Sequence, residues 1–306
     1  MNMPVDGALR PDDSPFHAGE RALQMRAGVR ERMAEIGTRV IRDHLPDQHR
    51  AFFAQLPFVV VGSVDLAGQP WASVLHGAPG FMQSPDPQRL RIDARPAAGS
   101  ALGAHLVAGA RLGLLGIEPH TRRRNRMNGR VGPIDQTGFA IDVEQSFGNC
   151  PKYIRPREAL PMDEPSEAGA PELLGALDEQ ARALIARADT LFIASTHSGS
   201  VDVSHRGGYP GFVATDTQGR LLLPDYAGNN FFNTLGNLLL EPRAGLLFID
   251  TDSGDLLQVA ATAEIVWDGP EVEGTAGALH LVRLTVTGAQ RTRCGLPLRW
   301  RVADTA

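Results

Sequence analysis

The sequence has few of the residues that build covalent or thiolate-based sites. Its 306 residues include only two cysteines, Cys150 and Cys294, and a single lysine, Lys152. Two thiols exclude a disulfide network and a zinc site with four cysteine ligands. No uncharged apolar run approaches the ~20 residues that a transmembrane helix needs, and the first fifteen residues lack the apolar segment of a secretory signal. We therefore expect a soluble, cytoplasmic protein.

Several catalytic motifs are also absent. The sequence contains no P-loop, no HExxH zinc motif and no GxSxG nucleophile elbow. Its nine histidines show no ligand spacing with acids or cysteines, so no metal site is predicted. A net charge of −5 argues against nucleic acid or an anionic membrane as partners. These absences leave a small-molecule substrate as the expected partner.

The two halves of the sequence repeat the same motifs in the same order. The matching segments are VVGSVD (60–65) with FIASTH (192–197), GAPGF (77–81) with GYPGF (208–212), and GLLGIE (113–118) with GLLFID (245–250). The offset is 132, 131 and 132 residues for the three pairs. Three pairs in one order and nearly one register indicate an internal duplication.

Each repeat consists of short apolar strands separated by turns, then one short helix and a strongly apolar strand. Such a pattern is typical of an antiparallel sheet that closes or nearly closes, since closure removes exposed edges. The helix of each repeat is expected to plug the end of its barrel. We predict a mainly β (α+β) chain with two small barrels packed together.

Outside the repeats, apolar periodicity predicts an amphipathic N-terminal helix over 18–44 and a second helix over 172–188. Between the repeats, the segment 161–172 is rich in Pro, Gly, Ala and acid, which is typical of a linker. The chain is thus divided into an N-terminal tail and helix (1–50), a first repeat (51–160), a linker (161–175) and a second repeat (176–306).

The second repeat carries an unusual polar stretch, VDVSHRGGYPGF at 201–212. On a strand, Ser204 and Arg206 share one face and His205 points to the other, so Ser204 and His205 do not form a nucleophile–base pair. Gly207 and its neighbour allow a ligand to approach the backbone, and the guanidinium of Arg206 suits a phosphate or an electron-rich heterocycle. The alternative is a polar strand end followed by a glycine turn.

A turn with two asparagines, Asn229 and Asn230, precedes the helix of the second repeat. Either asparagine is a candidate N-cap, and the free amides of a helix N-terminus can hold a phosphate. The first repeat has Ala97 and Ala98 at the equivalent positions. The sequence therefore predicts that the second repeat provides the ligand-binding surface, while the first completes the pocket or serves as scaffold.

The first repeat contains the cluster TRRRNRMNGR at 121–130 and the segment FGNCPKYIRPR at 147–157. Four arginines within five positions are most simply a solvated basic loop or hairpin; a nucleic-acid patch lacks interleaved aromatic residues. Cys150 is read as a buried, inert thiol, with a redox role as the alternative. We also expect Arg206→Ala to lower ligand occupancy more than Arg124→Ala.

Together, SHRGGYPGF, PDYAGNNFFNTLGNLLLEPRAGLLFID, RRRNRMNG and GNCPKYI resemble the pyridoxamine 5′-phosphate oxidase-like, FMN-binding split-barrel superfamily, and specifically its duplicated, two-barrel branch. The resemblance covers about 17–267. It implies two tandem split β-barrel (Greek-key) repeats of six strands each, with a flavin held where two barrels meet. The two barrels would pair as an intrachain pseudo-dimer or, alternatively, two chains would form a homodimer.

The resemblance also implies binding roles. Arg206 would neutralise the flavin phosphate or polarise the flavin ring. Gly207 and His205, on the same strand, would lie beside that ring. Ser204, Asn229 and Asn230 would donate hydrogen bonds. Lys152 and Tyr153, from the other half of the chain or from another subunit, would close the site. Many flavin-binding members have Arg-Lys where this chain has the two asparagines, and the C-terminal Arg-His segment of the true oxidase is not reproduced by GLPLRWRVADTA.

The expected function is therefore that of an FMN-binding protein, an oxidoreductase of this superfamily but not pyridoxamine phosphate oxidase. No catalytic acid or base is assigned. The alternatives are a non-catalytic flavin-binding or storage module, and a degenerate barrel without cofactor. FAD and a deazaflavin are the alternative ligands to FMN, and an electron donor is the alternative partner to a substrate.

Overall fold

The computed structural model describes residues 14–164 and 166–302, so most of the predicted N-terminal tail lies outside the described residues. In the first half, the elements in chain order are α1 (Ala18–Arg26), α2 (Arg30–Val40), α3 (Asp47–Gln55), β1 (Phe58–Val64), β2 (Pro70–His76), β3 (Met82–Asp86), β4 (Arg89–Ile92), α4 (Ala101–His105), β5 (Arg111–Glu118), β6 (Arg123–Ile134), β7 (Phe139–Gly148) and β8 (Arg157–Pro161).

The second half repeats this order of elements. They are β9 (Glu172–Leu174), α5 (Glu179–Arg187), β10 (Thr190–His197), β11 (Ser200–Gly207), β12 (Ala214–Thr215), β13 (Leu221–Tyr226), α6 (Asn233–Leu240), β14 (Arg243–Ile249), β15 (Leu256–Val266), α7 (Pro270–Glu273), β16 (Ala278–Thr292) and β17 (Leu298–Val302).

The two halves form two antiparallel sheets with the same strand order. The first sheet runs β2-β1-β5-β6-β7-β4-β3 and the second runs β11-β10-β14-β15-β16-β13-β12. The predicted fold, two tandem split β-barrel repeats, is confirmed. Each path contains seven strands rather than the six implied by the resemblance, and the second sheet gains β9 beside β16.

The changing offset between the repeats has a simple structural origin. Val60 of β1 pairs with Val74 of β2, and the equivalent Phe192 of β10 pairs with His205 of β11. The offset is 132 residues on the first strand of each hairpin and 131 on the second, because the turn of the second hairpin is one residue shorter. The residues that are equivalent in the two hairpins by structure are therefore the same as those that are equivalent by sequence comparison.

Each barrel has its own apolar core, and the short helix contributes to it. Leu102 of α4 lies in the core of the first barrel, and Leu235 and Leu238 of α6 lie in the core of the second. A third buried cluster, which includes Phe58, Leu115, Phe192 and Leu247, contains residues of both barrels. Burial of apolar surface thus holds the two barrels against each other.

The contact between the barrels is nearly symmetric. A Cβ atom on Gly113 of β5 would lie 2.6 Å from the carbonyl oxygen of Val201 in β11, and one on the equivalent Gly245 of β14 would overlap the carbonyl oxygen of Pro70 in β2. Glycine is therefore required at both positions for the strands to approach. At the far end, β8 and β17 pair with each other as a two-stranded sheet.

Both helices predicted outside the repeats differ from the structure. The segment 18–44 forms two helices, because Gly28 adopts a left-handed φ of 67° between them. A further helix, α3, follows Pro46 and was not predicted. The segment 172–188 begins as strand β9, where Leu173 is exposed, and becomes helical only after Asp178, whose carboxylate accepts a hydrogen bond from the Ala181 amide.

The N-terminal helix α1 packs on the second barrel. Its Gly19 lies against the backbone of Gly236 in α6, and a buried carboxylate, Glu20, accepts hydrogen bonds from the amide of His17 and the side chain of Asn233. Among the described residues, no helix combines the length and apolarity needed to cross a bilayer.

Candidate functional site

A solvent-open cleft between the two barrels brings all the predicted site residues together. Its water-accessible volume is about 110 Å³, and the rest of the space between its walls is open to solvent. The second barrel contributes β11, the end of β13 and the turn before α6, while the first contributes β6 and the segment after β7. Its lining includes the eight predicted residues: Ser204, His205, Arg206, Gly207, Asn229, Asn230, Lys152 and Tyr153.

On β11 the side chains alternate as a strand requires. The Ser204 hydroxyl accepts hydrogen bonds from Arg126 and from the Thr234 hydroxyl, the latter at 2.9 Å. Arg206 forms an ion pair with Asp225 of β13 at 3.1 Å. His205 packs against Phe192, an interface residue. Among the described contacts, no hydrogen bond joins Ser204 to His205, in agreement with the strand argument.

The arginine cluster lies in the β5–β6 hairpin, in agreement with the hairpin expectation, but it is only partly solvated: Arg122 and Arg123 are exposed, whereas Arg124 and Arg126 line the cleft. Residues 123–134 form β6 in the interior of the first sheet, and alternate side chains of that strand enter the cleft. Arg126 is only 4% exposed and pairs with Asp202 at 3.1 Å. Arg124 hydrogen-bonds His205 at 3.0 Å. Arginine at every second position is a pattern typical of a strand and could have indicated β6. The pattern does not show that the second barrel buries some of these side chains.

Arg124 is the least compensated cation of the cleft. Within the described part of the chain, no carboxylate lies at ion-pair distance from its guanidinium, and its Nε is buried without a hydrogen-bond partner. Burial, together with the neighbouring charges of Arg126 and Arg206, lowers the pKa of Arg124 to about 10. The guanidinium nevertheless remains protonated at neutral pH, so the cleft holds an unneutralised positive charge.

His205 is neutral in this environment. Burial is the largest cause, and the charges of Arg124 and Arg206 add to it, so the pKa of the imidazole lies well below its usual value. Because Arg124 donates to Nδ1, the neutral ring carries its hydrogen on Nε2. His205 thus offers one N–H donor and no positive charge.

The turn before α6 differs from the predicted cap. The helix starts at Asn233 and its N-cap is Phe232 in a left-handed conformation, so neither Asn229 nor Asn230 caps it. Instead, the side chain of Asn229 accepts a hydrogen bond from the Phe231 amide at 3.2 Å, and Asn230 has a φ of 61°. Asn230 and Phe232, two positions apart, both have a left-handed backbone, and together they set the path of the turn along the cleft.

The segment after β7 forms the opposite wall. The Tyr153 ring stacks on Tyr226 with centroids 5.2 Å apart, and its hydroxyl donates to the Ala227 carbonyl at 3.1 Å. The backbone of Tyr153 approaches Gly207 so closely that a Cβ at Gly207 would overlap its carbonyl oxygen. Lys152 is exposed at the mouth. Cys150, expected to be buried, is half-buried and lines the cleft.

Sequence reasoning missed several lining residues besides the two arginines. Asp225 and Tyr226 close β13, Thr234 lies in the first turn of α6, and Asn149 follows β7. Burial raises the pKa of the Asp225 carboxyl, although Arg206 opposes the shift. Asn149 has a buried side-chain oxygen without a hydrogen-bond partner. The described residues bring together no group of three or more His, Cys, Asp and Glu suited to a metal ion.

Structure comparison finds small proteins that each match about two fifths of this chain. HupZ of Group A Streptococcus is 11% identical with a TM-score of 0.31, covering 37% of this chain and 92% of its own. HutZ, described as the heme storage protein of Vibrio cholerae, is 17% identical with a TM-score of 0.28, covering 37% and 92%. An FAD-binding protein from Mesorhizobium loti is 11% identical with a TM-score of 0.29, covering 40% and 96%.

The sequence comparisons are more decisive. Curated proteins give no match. The family model for pyridoxamine 5′-phosphate oxidase, however, matches residues 45–167 and again 177–289. The two matched segments correspond to the two barrels and together cover more than half of the sequence, so the chain belongs to the pyridoxamine 5′-phosphate oxidase family.

Proposed function

We propose that the cleft between the barrels binds FMN and that the protein is a flavin-dependent oxidoreductase, although not pyridoxamine phosphate oxidase itself. The observation that supports this most directly is the partly buried guanidinium of Arg124, which has no carboxylate partner among the described residues. A buried charge is costly unless it is paired. A ligand phosphate would pair with it.

The donor set of the cleft fits a phosphate and a polar ring. Arg126 and Arg206 lie in the same cleft, but each already has a carboxylate partner, Asp202 and Asp225. Arg124 and the exposed Lys152 are therefore the groups that would hold the phosphate, by charge-assisted hydrogen bonds. The buried, unpartnered oxygen of Asn149 would accept from a hydroxyl or N–H of the ligand.

Ser204 and His205 would supply neutral donors. Both lone pairs of the Ser204 hydroxyl are engaged by Arg126 and Thr234, which leaves its hydrogen free to donate to a ligand. His205 donates only from Nε2, as its Nδ1 accepts from Arg124. Neutral donors suit the carbonyl and nitrogen edge of a flavin ring, and the Arg206–Asp225 pair would set the charge beside it.

Bound FMN would supply the electron-transfer chemistry, whose potential the protein tunes through nearby charges and hydrogen bonds. The chain's own residues would bind the phosphate, orient the ring and exclude water between the barrels. No residue of the cleft is assigned as a catalytic acid or base.

An absorption spectrum of the purified protein, with mass identification of any released ligand, tests the proposal. A flavin spectrum that NAD(P)H or another donor bleaches supports the enzyme. A flavin spectrum inert to all reductants tried supports a binding or storage module. A colourless protein that takes up neither FMN, FAD nor a deazaflavin contradicts flavin binding and indicates a degenerate barrel.

The role of Arg124 is tested by comparing FMN with riboflavin, which lacks the phosphate. Hydrogen bonds to charged groups contribute about 1.5–3 kcal/mol, so Arg124→Gln should weaken FMN binding by roughly ten- to a hundredfold. Riboflavin binding should change much less. Arg130→Gln is the matched control, because Arg130 lies on the same strand but is exposed and paired with Glu144. Equal losses for both flavins would contradict the phosphate role.

A further inference from the structure

A second cavity lies between the barrels, separated from the cleft by the ion pair of Arg126 and Asp202. On β11, residues 204–207 line the cleft and residues 200–202 line this cavity; on β6, Arg126 lines the cleft and Asn128 lines the cavity. Its water-accessible volume is about 230 Å³, against about 110 Å³ for the cleft. One water molecule needs only about 10–15 Å³ of such volume, so the cavity has room for a small organic molecule.

The lining of this cavity combines apolar and charged side chains. Leu112 of β5 and Val201 of β11 are buried and contribute apolar surface, as does the half-buried Ile41. Four of the other lining residues carry acidic or guanidinium groups: Glu20, Asp202, Glu144 and Arg111. The charge of the ligand that fits therefore depends on which of these groups the protein itself has already neutralised.

Glu20 is the carboxylate of the lining that has no cationic partner. It is 4% exposed, and it accepts hydrogen bonds from the His17 amide at 2.9 Å and from the side chain of Asn233, two residues that also line the cavity. Among the described residues, no lysine or arginine lies at ion-pair distance from it. The Nε2 atom of His17 lies 3.6 Å away, but burial and the neighbouring His197 lower the pKa of that imidazole and keep it neutral. A buried carboxylate is costly unless it is paired, so a cationic group of a ligand would be favoured here.

The other two carboxylates already have cations, and one cation is left over. Asp202 pairs with Arg126 at 3.1 Å. Glu144 pairs with two arginines, with Arg130 at 2.6 Å and with Arg111 at 3.6 Å. One carboxylate neutralises only one guanidinium, and Arg130 is the closer of the two. The lining therefore keeps one uncompensated positive charge, at Arg111, besides the negative charge of Glu20.

We propose that this cavity binds a small aliphatic α-amino acid. The ammonium group of the ligand would pair with Glu20, its carboxylate with Arg111, and its side chain would contact the apolar part of the lining. A simple amine would leave Arg111 uncompensated, and a simple carboxylate would leave Glu20 uncompensated, whereas a zwitterion neutralises both. This inference does not depend on flavin binding, because none of these contacts involves the phosphate-binding cations of the cleft.

The protonation of Glu20 provides a second signature of the ligand. Burial is the largest cause that raises its pKa to about 7, and Asp202 of β11 adds to it; the His17 amide, Asn233 of α6 and Arg126 of β6 act in the opposite direction. At pH 7 the empty site therefore holds about half a proton on this carboxyl. An ammonium group beside Glu20 would keep it ionised, so binding should release that proton.

The test is calorimetric titration of the purified protein with L-valine and with its two singly charged analogues, isobutylamine and isovalerate. One L-valine should bind per chain, about tenfold or more tightly than either analogue. Glu20→Gln should weaken L-valine binding about tenfold while changing isovalerate binding less than about twofold. Arg111→Gln should weaken L-valine equally while sparing isobutylamine. Arg124→Gln, which alters the cleft instead, should leave L-valine affinity within about twofold.

Proton release is measured at pH 7 by repeating the titration in two buffers that differ in their enthalpy of ionisation. The wild type should release about half a proton per L-valine and Glu20→Gln none, while thermal unfolding shows whether each variant is folded. The proposal is overturned if L-valine does not saturate or if either analogue binds the wild type as tightly. It is also overturned if Arg124→Gln rather than Arg111→Gln removes binding, or if Glu20→Gln still releases the proton.

Discussion

The two barrels are related by sequence and topology, yet the positions equivalent to Arg124, Arg126 and Arg206 are uncharged at the second of their two junctions. At the charged junction, Arg126 of the first barrel donates to Ser204 of the second. At the other, Gln258 of the second barrel donates to the Ser73 hydroxyl of the first at 3.0 Å. Gln258 and Ser73 are the equivalents of Arg126 and Ser204 by the repeat offset. Both junctions therefore have a hydrogen bond to this serine, but the donor is charged at one junction and neutral at the other.

The neighbouring positions show the same contrast. Arg124 corresponds to Leu256, and His205 and Arg206 correspond to Val74 and Leu75. Leu256 and Leu75 are buried. One junction is therefore filled by apolar side chains, while the other remains an open cleft lined by cations. The apolar version shows that folding does not require charged residues at these positions, and the charged version is the one that we propose binds a ligand.

Converting Arg126 to its counterpart should have the largest effect on stability. Removing one partner of a buried ion pair costs roughly 3–5 kcal/mol, because Asp202 would lose its charged partner. We expect Arg126→Gln to lower the free energy of unfolding by about 3 kcal/mol, since Asn128 and Asn237 still donate to Asp202. Urea denaturation measures this. Gln258→Leu, the change at the uncharged junction, should cost less; an equal cost would contradict the contrast.

The next largest effect on stability is expected at Glu20, a buried residue of α1 at the place where this helix packs on α6. Burial, with Asp202 nearby, raises the Glu20 pKa to about 7 from 4.5. As the pH rises from about 4.5 to 7, the unfolded chain loses this proton while the folded protein keeps it. Stability from this group is therefore complete at low pH and falls by up to about 3 kcal/mol over that window.

Glu20→Gln should remove that pH dependence while keeping the size of the side chain. The measurement is the difference in unfolding free energy between wild type and variant at pH 5 and pH 7.5. The difference should shift in favour of the variant at the higher pH. A constant difference would mean that Glu20 titrates near its ordinary value in the folded protein.

Gly113 and Gly245 test the symmetry of the backbone contact. Each meets the opposite barrel where a Cβ would collide with a carbonyl oxygen, and overpacking costs about 1–3 kcal/mol. Gly113→Ala and Gly245→Ala should therefore destabilise the protein by similar amounts. Thermal unfolding compares them, with Gly109→Ala as a control in open space, although its φ of 83° adds local strain. A large loss at only one site would show that the junctions differ in backbone as well as side chains.

The smallest effect is expected at Arg206. Its guanidinium is already paired with Asp225, so Arg206→Leu, the change to the residue of the first repeat, should reduce FMN affinity by about fivefold or less. This reverses the ranking expected from the sequence, in which Arg206 matters more than Arg124. Titrations with FMN of the two variants decide the order. A larger loss at Arg206 would show that the phosphate lies on the β11 side.

The duplication and the order of strands and helix along each repeat could be predicted because they depend on motifs that recur at a fixed spacing, and the family resemblance added the eight predicted residues of the cleft. The environment of Arg124 could not be predicted, since a strand from the other half of the chain, with His205, buries it. The break at Gly28 and the strand at Leu173 were missed for a similar reason. Apolar periodicity indicates which residues can share a face but not which neighbour covers them.

The cleft draws its walls from both barrels of one polypeptide. Its integrity therefore depends on a first-order folding step and not on the encounter of two molecules, so dilution alone cannot dismantle it. A site assembled from the same groups on separate chains would be lost as the protein concentration fell below the dissociation constant of the pair. The affinity of a ligand held only by these two walls would not depend on how much of the protein is present.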